Sequence, residues 1–160
     1  MTLFPSTDIA DAVRLSREDV YHPLSTHAKK SFYLDEAEWA SVEHYYQAMK
    51  FDNPAYREKI RVAEHPKIAY KLGNARFKKK RKDWKAVRDV VMTRGVYIKC
   101  KTHADVADAL LDTGDKTIIE TSAYDYYWGC GRDGRGQNAY GKVLMNVRAK
   151  LRSEMERVNT

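Results

Sequence analysis

Two cysteines, four prolines and no long apolar run set the first bounds on this 160-residue chain. Cys100 and Cys130 stand far apart without metal-ligand spacing. Free thiols in a reducing compartment are therefore expected rather than a disulfide. The histidines (His22, His27, His44, His65, His103) form no HExxH or other paired helical motif, so neither a metal nor another cofactor is expected. No segment approaches the roughly 20 apolar residues of a membrane span, which excludes a membrane partner of that kind. The start, Met1-Thr2-Leu3-Phe4-Pro5, has no basic region followed by an apolar stretch. No signal peptide is expected, and the chain reads as cytoplasmic. Repeats, low-complexity blocks and Pro/Gly linkers are also missing, so residues 1–160 read as one domain.

What is present is globular in kind. A hydrophobic fraction of 43%, a charged fraction of 32% and a mean hydropathy of −0.68 suit a domain with a substantial core. The net charge of +7 is unevenly placed. Residues 67–101 hold 13 Lys/Arg against 2 Asp/Glu, a local +11. Such a run is either a solvated basic face or a field that attracts phosphates or nucleic acid.

Hydrophobic spacing and capping residues predict a mostly helical α+β fold with a small sheet. A short helix is expected around Asp8–Leu15. Ser31–Leu34 and Glu38–Ala40 read as short strands around an acidic turn at Asp35-Glu36. Ser41 is placed to cap a helix from Val42 to Phe51, with Glu43 in its first turn. Asn53-Pro54 opens a second helix to about Val62, and Pro66 a third that Gly73 closes. Asp83 is placed to cap a long helix and Thr102 another through Leu111. Thr117–Thr121 is the best strand, and the last helix runs from about Asn138 to Arg157 with Tyr140, Leu144, Val147 and Leu151 inward. Without alternating strand–helix units, a doubly wound fold does not fit.

Two stretches could carry chemistry. In the first, helical spacing brings Glu43, Tyr46, Gln47 and Lys50 onto neighbouring turns of one side. Glu43 is then either a first-turn dipole residue or a reactive carboxylate at a pocket. In the second, Asp125 to Asn138, four glycines lie within eight residues ahead of a helix, an arrangement that can cradle an anion. Arg132 and Arg135 would add cations there. Gly129-Cys130-Gly131-Arg132-Asp133-Gly134 matches GxGxxG, but no second strand follows, which excludes a dinucleotide fold.

These stretches also carry a resemblance. Trp39-x-Ser41-x-Glu43-His44-Tyr45-Tyr46-Gln47-Ala48-x-Lys50-Phe51 resembles the signature of the NADAR (YbiA-like) family. Ala69-x3-Gly73, Arg76, Arg81-x-Asp83-Trp84, Asp125-x-Tyr127-Trp128-Gly129 and Asp133-Gly134-x-Gly136-x-Asn138-x2-Gly141 follow in order. The resemblance covers about residues 31–151. It implies an α+β fold and hydrolysis of N-glycosidic bonds. One branch cleaves phosphorylated ribosylaminopyrimidine intermediates of riboflavin synthesis and releases ribose 5-phosphate. Another removes ADP-ribose from guanine bases of nucleic acid.

Carried over position by position, the resemblance marks Glu43, Trp84, Asp125 and Trp128 as functional, with Asn138 at a motif position. Glu43 is then expected as the principal catalytic carboxylate and Asp125 as its partner. Trp84, Trp128, Tyr46, Gln47, Gly129, Arg132, Arg135 and Asn138 are expected to bind substrate, with the arginines and loop amides on the phosphate. Family members commonly carry an aromatic-Ser-Asn-aromatic segment where this chain has Leu24-Ser25-Thr26-His27, a stretch expected to border the pocket. A non-catalytic nucleic-acid-binding module using the 67–101 face is the alternative of another class.

Overall fold

The computed structural model describes residues 10–159. Its centre is helix α1 (Val42–Ala48), every residue of which is buried. Ser41 caps it, as its spacing predicts: Ser41 Oγ accepts from His44 N at 3.2 Å. The His44 ring lies between Ser41 Oγ (2.6 Å) and the Ala63 carbonyl (2.9 Å), so a buried imidazole is satisfied at both nitrogens.

Helices α2 (Pro54–Arg61) and α3 (Pro66–Gly73) begin at the expected prolines. Asn53 Oδ1 accepts from Tyr56 N and His65 Nδ1 from Lys67 N, completing both caps. The long α4 (Trp84–Thr102) packs on α1 and on the last helix. Two expected caps differ. Asp83 precedes α4 but makes no side-chain cap, because Arg81 Nε (2.6 Å) and its terminal nitrogen (2.9 Å) take the carboxylate. Thr102 ends α4 instead of opening α5 (Ala104–Leu111), and its hydroxyl donates back to Ile98 O at 2.8 Å.

Among the described residues, four short strands form two pairs. β2 (Phe32–Leu34) and β3 (Ala37–Trp39) are an antiparallel hairpin with Phe32 opposite Trp39. Its turn residues Asp35 and Glu36 have φ of 52° and 64°, the left-handed values a two-residue hairpin loop demands. Arg94 (2.7 Å) and the Tyr45 hydroxyl (2.8 Å) donate to Asp35 and hold the turn. The other pair is parallel: β1 (Val13–Leu15) lies beside β4 (Ile118–Glu120) with Leu15 opposite Glu120. Of the helix expected at Asp8–Leu15, Ala10 is helical but 13–15 form a strand; residues 8 and 9 lie outside the described residues. Three residues of propensity could not reveal a strand whose partner lies about a hundred positions away.

Helix α6 (Ala139–Val158) closes the core with Tyr140, Leu144, Val147 and Leu151 buried, as their spacing predicts. The six helices and four strands of the described residues therefore match the expected mostly helical α+β class. Among the described residues, no helix is long and apolar enough to cross a membrane. No group of three His, Cys, Asp or Glu among them could hold a metal ion.

Candidate active site

The parallel β1–β4 pair delivers a residue that local sequence did not single out. Arg17 follows β1, and its backbone N–H donates to Glu120 Oε2 at 2.7 Å. Its buried guanidinium reaches Glu43 at 3.0 Å and Asp125 at 3.3 Å. The Tyr46 and Trp128 rings flank it, at 5.8 and 5.9 Å from the guanidinium carbon. One arginine thus bridges the two carboxylates expected from sequence. Arg17 stood in a mixed segment without a motif, so only the tertiary strand pairing could have revealed it.

Glu43 is fully buried. Thr26 Oγ1 donates to it at 2.6 Å and Gln47 Nε2 at 2.7 Å, with His27 Nδ1 at 3.6 Å. Burial alone would raise its pKa, but the Arg17 charge, helped by His27, Gln47 and Thr26, pulls it down to about 2. Glu43 is therefore a fixed anion. Burial lowers the His27 pKa, against the opposing pull of Glu43, and favours the neutral ring. Thr26 and His27 come from the atypical Leu24–His27 segment, which the structure places against the central carboxylate.

Asp125 differs in access, with its side chain 34% exposed. Its Oδ1 accepts from Tyr127 N (3.0 Å) and Trp128 N (2.8 Å), which aims Oδ2 at Arg17. The Trp128 indole N–H donates to the Tyr46 hydroxyl at 3.0 Å, and Tyr46 packs against Trp84 at 5.2 Å between centroids.

Around this knot runs a cleft of two adjoining lobes that share Arg17, Tyr70, Asp125 and Tyr127. One lobe, of about 470 Å³, is floored by Tyr46, Gln47, Lys50 and Trp84 and rimmed by Lys80, Arg81, Lys82, Lys85 and Arg88. The other, of about 550 Å³, is lined by Ser16, His27, Thr121, Ser122, Tyr124 and Tyr126. The basic 67–101 stretch is therefore no uniform solvated face. Five of its cations line a concave site, while Lys99 is buried against the Ser25 carbonyl at 2.8 Å.

The structure brings Glu43, Asp125, Trp84, Trp128, Tyr46 and Gln47 together around Arg17. It sets the remaining expected residues apart. Gly129 packs beneath the loop, where a Cβ would come within 2.6 Å of Glu120 Oε1. Asn138 is buried and clamps β4, accepting from Glu120 N and donating to Ile118 O at 2.8 Å each. Arg132 is exposed and meets the cleft at Tyr124, donating to its hydroxyl at 3.1 Å and lying 5.5 Å from its ring centroid. Arg135 is exposed and lies 3.7 Å from Asp133.

Comparison with known proteins agrees with this architecture. The chain is 38% identical over 136 residues to N-glycosidase Npun_R5314 of Nostoc punctiforme, covering 83% of this chain and 87% of that protein. It is 37% identical over 139 residues to N-glycosidase YbiA of Escherichia coli, covering 87% of each. The NMR structure of E. coli YbiA matches with a TM-score of 0.81 at 35% identity, over 91% of this chain and 88% of that one. Riboflavin biosynthesis protein VVA0006 of Vibrio vulnificus is 42% identical over 113 residues, 71% of this chain but 31% of that longer protein. The NADAR domain model matches residues 14–152, a span that begins within β1 and takes in all four shared cleft residues, Arg17 among them. The chain belongs to the NADAR family.

Proposed function

We propose that this protein is a hydrolase that cleaves the N-glycosidic bond of phosphorylated ribosylaminopyrimidine intermediates of riboflavin biosynthesis, releasing ribose 5-phosphate. The observation that carries the reading is the Arg17-bridged pair of carboxylates at the waist of a cleft, one arm of which is cationic. The names of the N-glycosidase and riboflavin relatives support the reaction and the substrate class. Both cysteines are free thiols, which suits a reducing cytoplasm.

N-glycoside cleavage builds positive charge at the anomeric carbon. In this reading the two carboxylates exchange the roles expected from sequence: Asp125, the one with access, faces that carbon and accepts a proton from the attacking water. The C–N bond breaks, the water oxygen bonds to the anomeric carbon, and the proton passes to the departing amino nitrogen. Arg17 donates hydrogen bonds at the waist. Glu43, enclosed behind it, holds the guanidinium in place and adds negative field beneath the reacting centre.

Asp125→Asn and Glu43→Gln are each expected to lower release of ribose 5-phosphate by about 10²–10⁴-fold with the far-UV dichroism unchanged. Near-normal turnover in either folded variant removes that residue from the mechanism. A parallel incubation with nucleic acid carrying ADP-ribosylated guanine tests the family's other activity. Release of ADP-ribose alone would move the assignment there.

A further inference from the structure

The two lobes differ in charge. Seven Lys or Arg side chains line the lobe that holds Lys50, against one carboxylate, Asp125. In the Tyr124 lobe Arg17 is set against Glu18 and Asp125. Lys50 is the unusual cation of the set. It is 4% exposed and, among the described residues, makes no ion pair; its ammonium has one long contact, 3.4 Å to Asn74 Oδ1, besides the Tyr46 ring at 5.3 Å. A buried ammonium so weakly partnered is costly unless an anion completes it. Arg88 adds to the same wall: its guanidinium stacks 3.4 Å from the Tyr127 centroid, and its buried Nε has no hydrogen-bond partner among the described residues.

In the glycine-rich loop, by contrast, most of the amides are already engaged. The amides of Cys130, Gly131, Gly134, Gly136, Gln137 and Asn138 all donate to protein carbonyls. The Arg135 amide donates to Asp133. Stacking surface also divides unevenly. Trp84 and Trp128 are only 6% and 5% exposed, each with Tyr46 packed against it, whereas Tyr124 and Tyr126 beside the other lobe are 85% and 47% exposed.

We infer that the Lys50 lobe is the phosphate subsite and the Tyr124–Tyr126 lobe the base subsite, so that the substrate lies across Arg17 and Asp125 in one fixed direction. The assignment rests on the N-glycosidase reading for the identity of the sugar phosphate, and it moves the phosphate away from Arg132 and Arg135. It also predicts a proton linkage. Burial, with Lys80 and Arg17 nearby and only Glu43 and Asp125 opposing, lowers the Lys50 pKa to about 7. A phosphate dianion would restore the charged form. Binding near pH 7.5 should therefore take up a proton, and affinity should fall as pH rises above about 7.

The test is calorimetric titration of ribose 5-phosphate, and of ribose as control, into wild type, Lys50→Met, Lys50→Arg and the double variant Arg132→Ala/Arg135→Ala. Repeating it in buffers of different ionisation enthalpy reads the proton. Loss of a charge-assisted contact predicts weakening of about ten- to a hundredfold in Lys50→Met. Lys50→Arg should keep most of the affinity and lose the proton uptake. The double arginine variant should bind like wild type, and ribose should bind far more weakly than its phosphate. Undiminished binding by a folded Lys50→Met, loss of binding in the double variant, or absence of binding by wild type would each overturn the assignment. Turnover of the phosphorylated riboside is measured separately. Its absence would sink the glycosidase reading while the titrations still decide where the phosphate binds.

Discussion

At the scale of single residues, the site hangs on a charge that cannot be removed cleanly. Glu43 has no water to fall back on, so Arg17→Met leaves a buried carboxylate without its cation, a change that costs about 3–5 kcal/mol. Urea unfolding at pH 7 should show that loss. It should also show that the double variant Arg17→Met/Glu43→Gln recovers much of it, because a neutral pair needs no compensation. Turnover should be recovered in neither. Acid adds a second reading of the same pair. The folded protein holds Glu43 at about 2, below its ordinary 4.5, so its ionised form stabilises the fold fully above about 4.5. That contribution is lost as pH falls through about 2. The stability of wild type should thus decline relative to Glu43→Gln between pH 4.5 and pH 2. Parallel curves for the two would show that the carboxylate titrates alike folded and unfolded.

At the scale of elements, the helices shape the site through close approach as much as through their side chains. Gly73, the last residue of α3, sits so near α1 that a Cβ there would overlap Gln47 Oε1. Since Gln47 Nε2 donates to Glu43, Gly73→Ala should displace the amide and with it the carboxylate. Turnover should fall at least tenfold for a stability loss of about 1–3 kcal/mol. Normal turnover would show that Gln47 does not position Glu43. Asn138 acts on the other side. With φ of 52° and two backbone hydrogen bonds to β4, Asn138→Ala should lose about 2–4 kcal/mol in thermal unfolding. At a temperature where the variant stays folded, KM should hold steady. A raised KM would return Asn138 to the substrate site.

These elements also show what the sequence could and could not reveal. Prolines, Ser41 and Asn53 announced three helices because capping chemistry is local. Glu43, Tyr46, Gln47 and Lys50 read as one face because helical spacing is local too. Arg17 stayed hidden because a parallel strand pair spanning a hundred residues placed it. The glycine loop suggested a phosphate cradle because glycine spacing does not tell which oxygen each amide will meet.

At the scale of the whole molecule, one wall of the cleft gathers seven cations against a single carboxylate. Lys80, Lys82, Lys85 and Arg88 rim a concave surface whose low-dielectric walls concentrate field, while Arg81 is tied to Asp83 and contributes less. A dianionic substrate should therefore be drawn toward the Lys50 lobe before it touches the protein. Steering of this kind acts over a Debye length, which shrinks from about 30 Å at 0.01 M salt to about 10 Å at 0.1 M. Accordingly, kcat/KM for the phosphorylated riboside should fall on the order of tenfold across that range, with most of the change in KM. The dephosphorylated riboside should show a flat salt profile, because it carries no charge for the wall to act on. Equal salt profiles for the two would mean that the rim does not recruit substrate. The 67–101 charge would then need another purpose, and salt-sensitive retention of unmodified nucleic acid on the same protein would be the first alternative to measure.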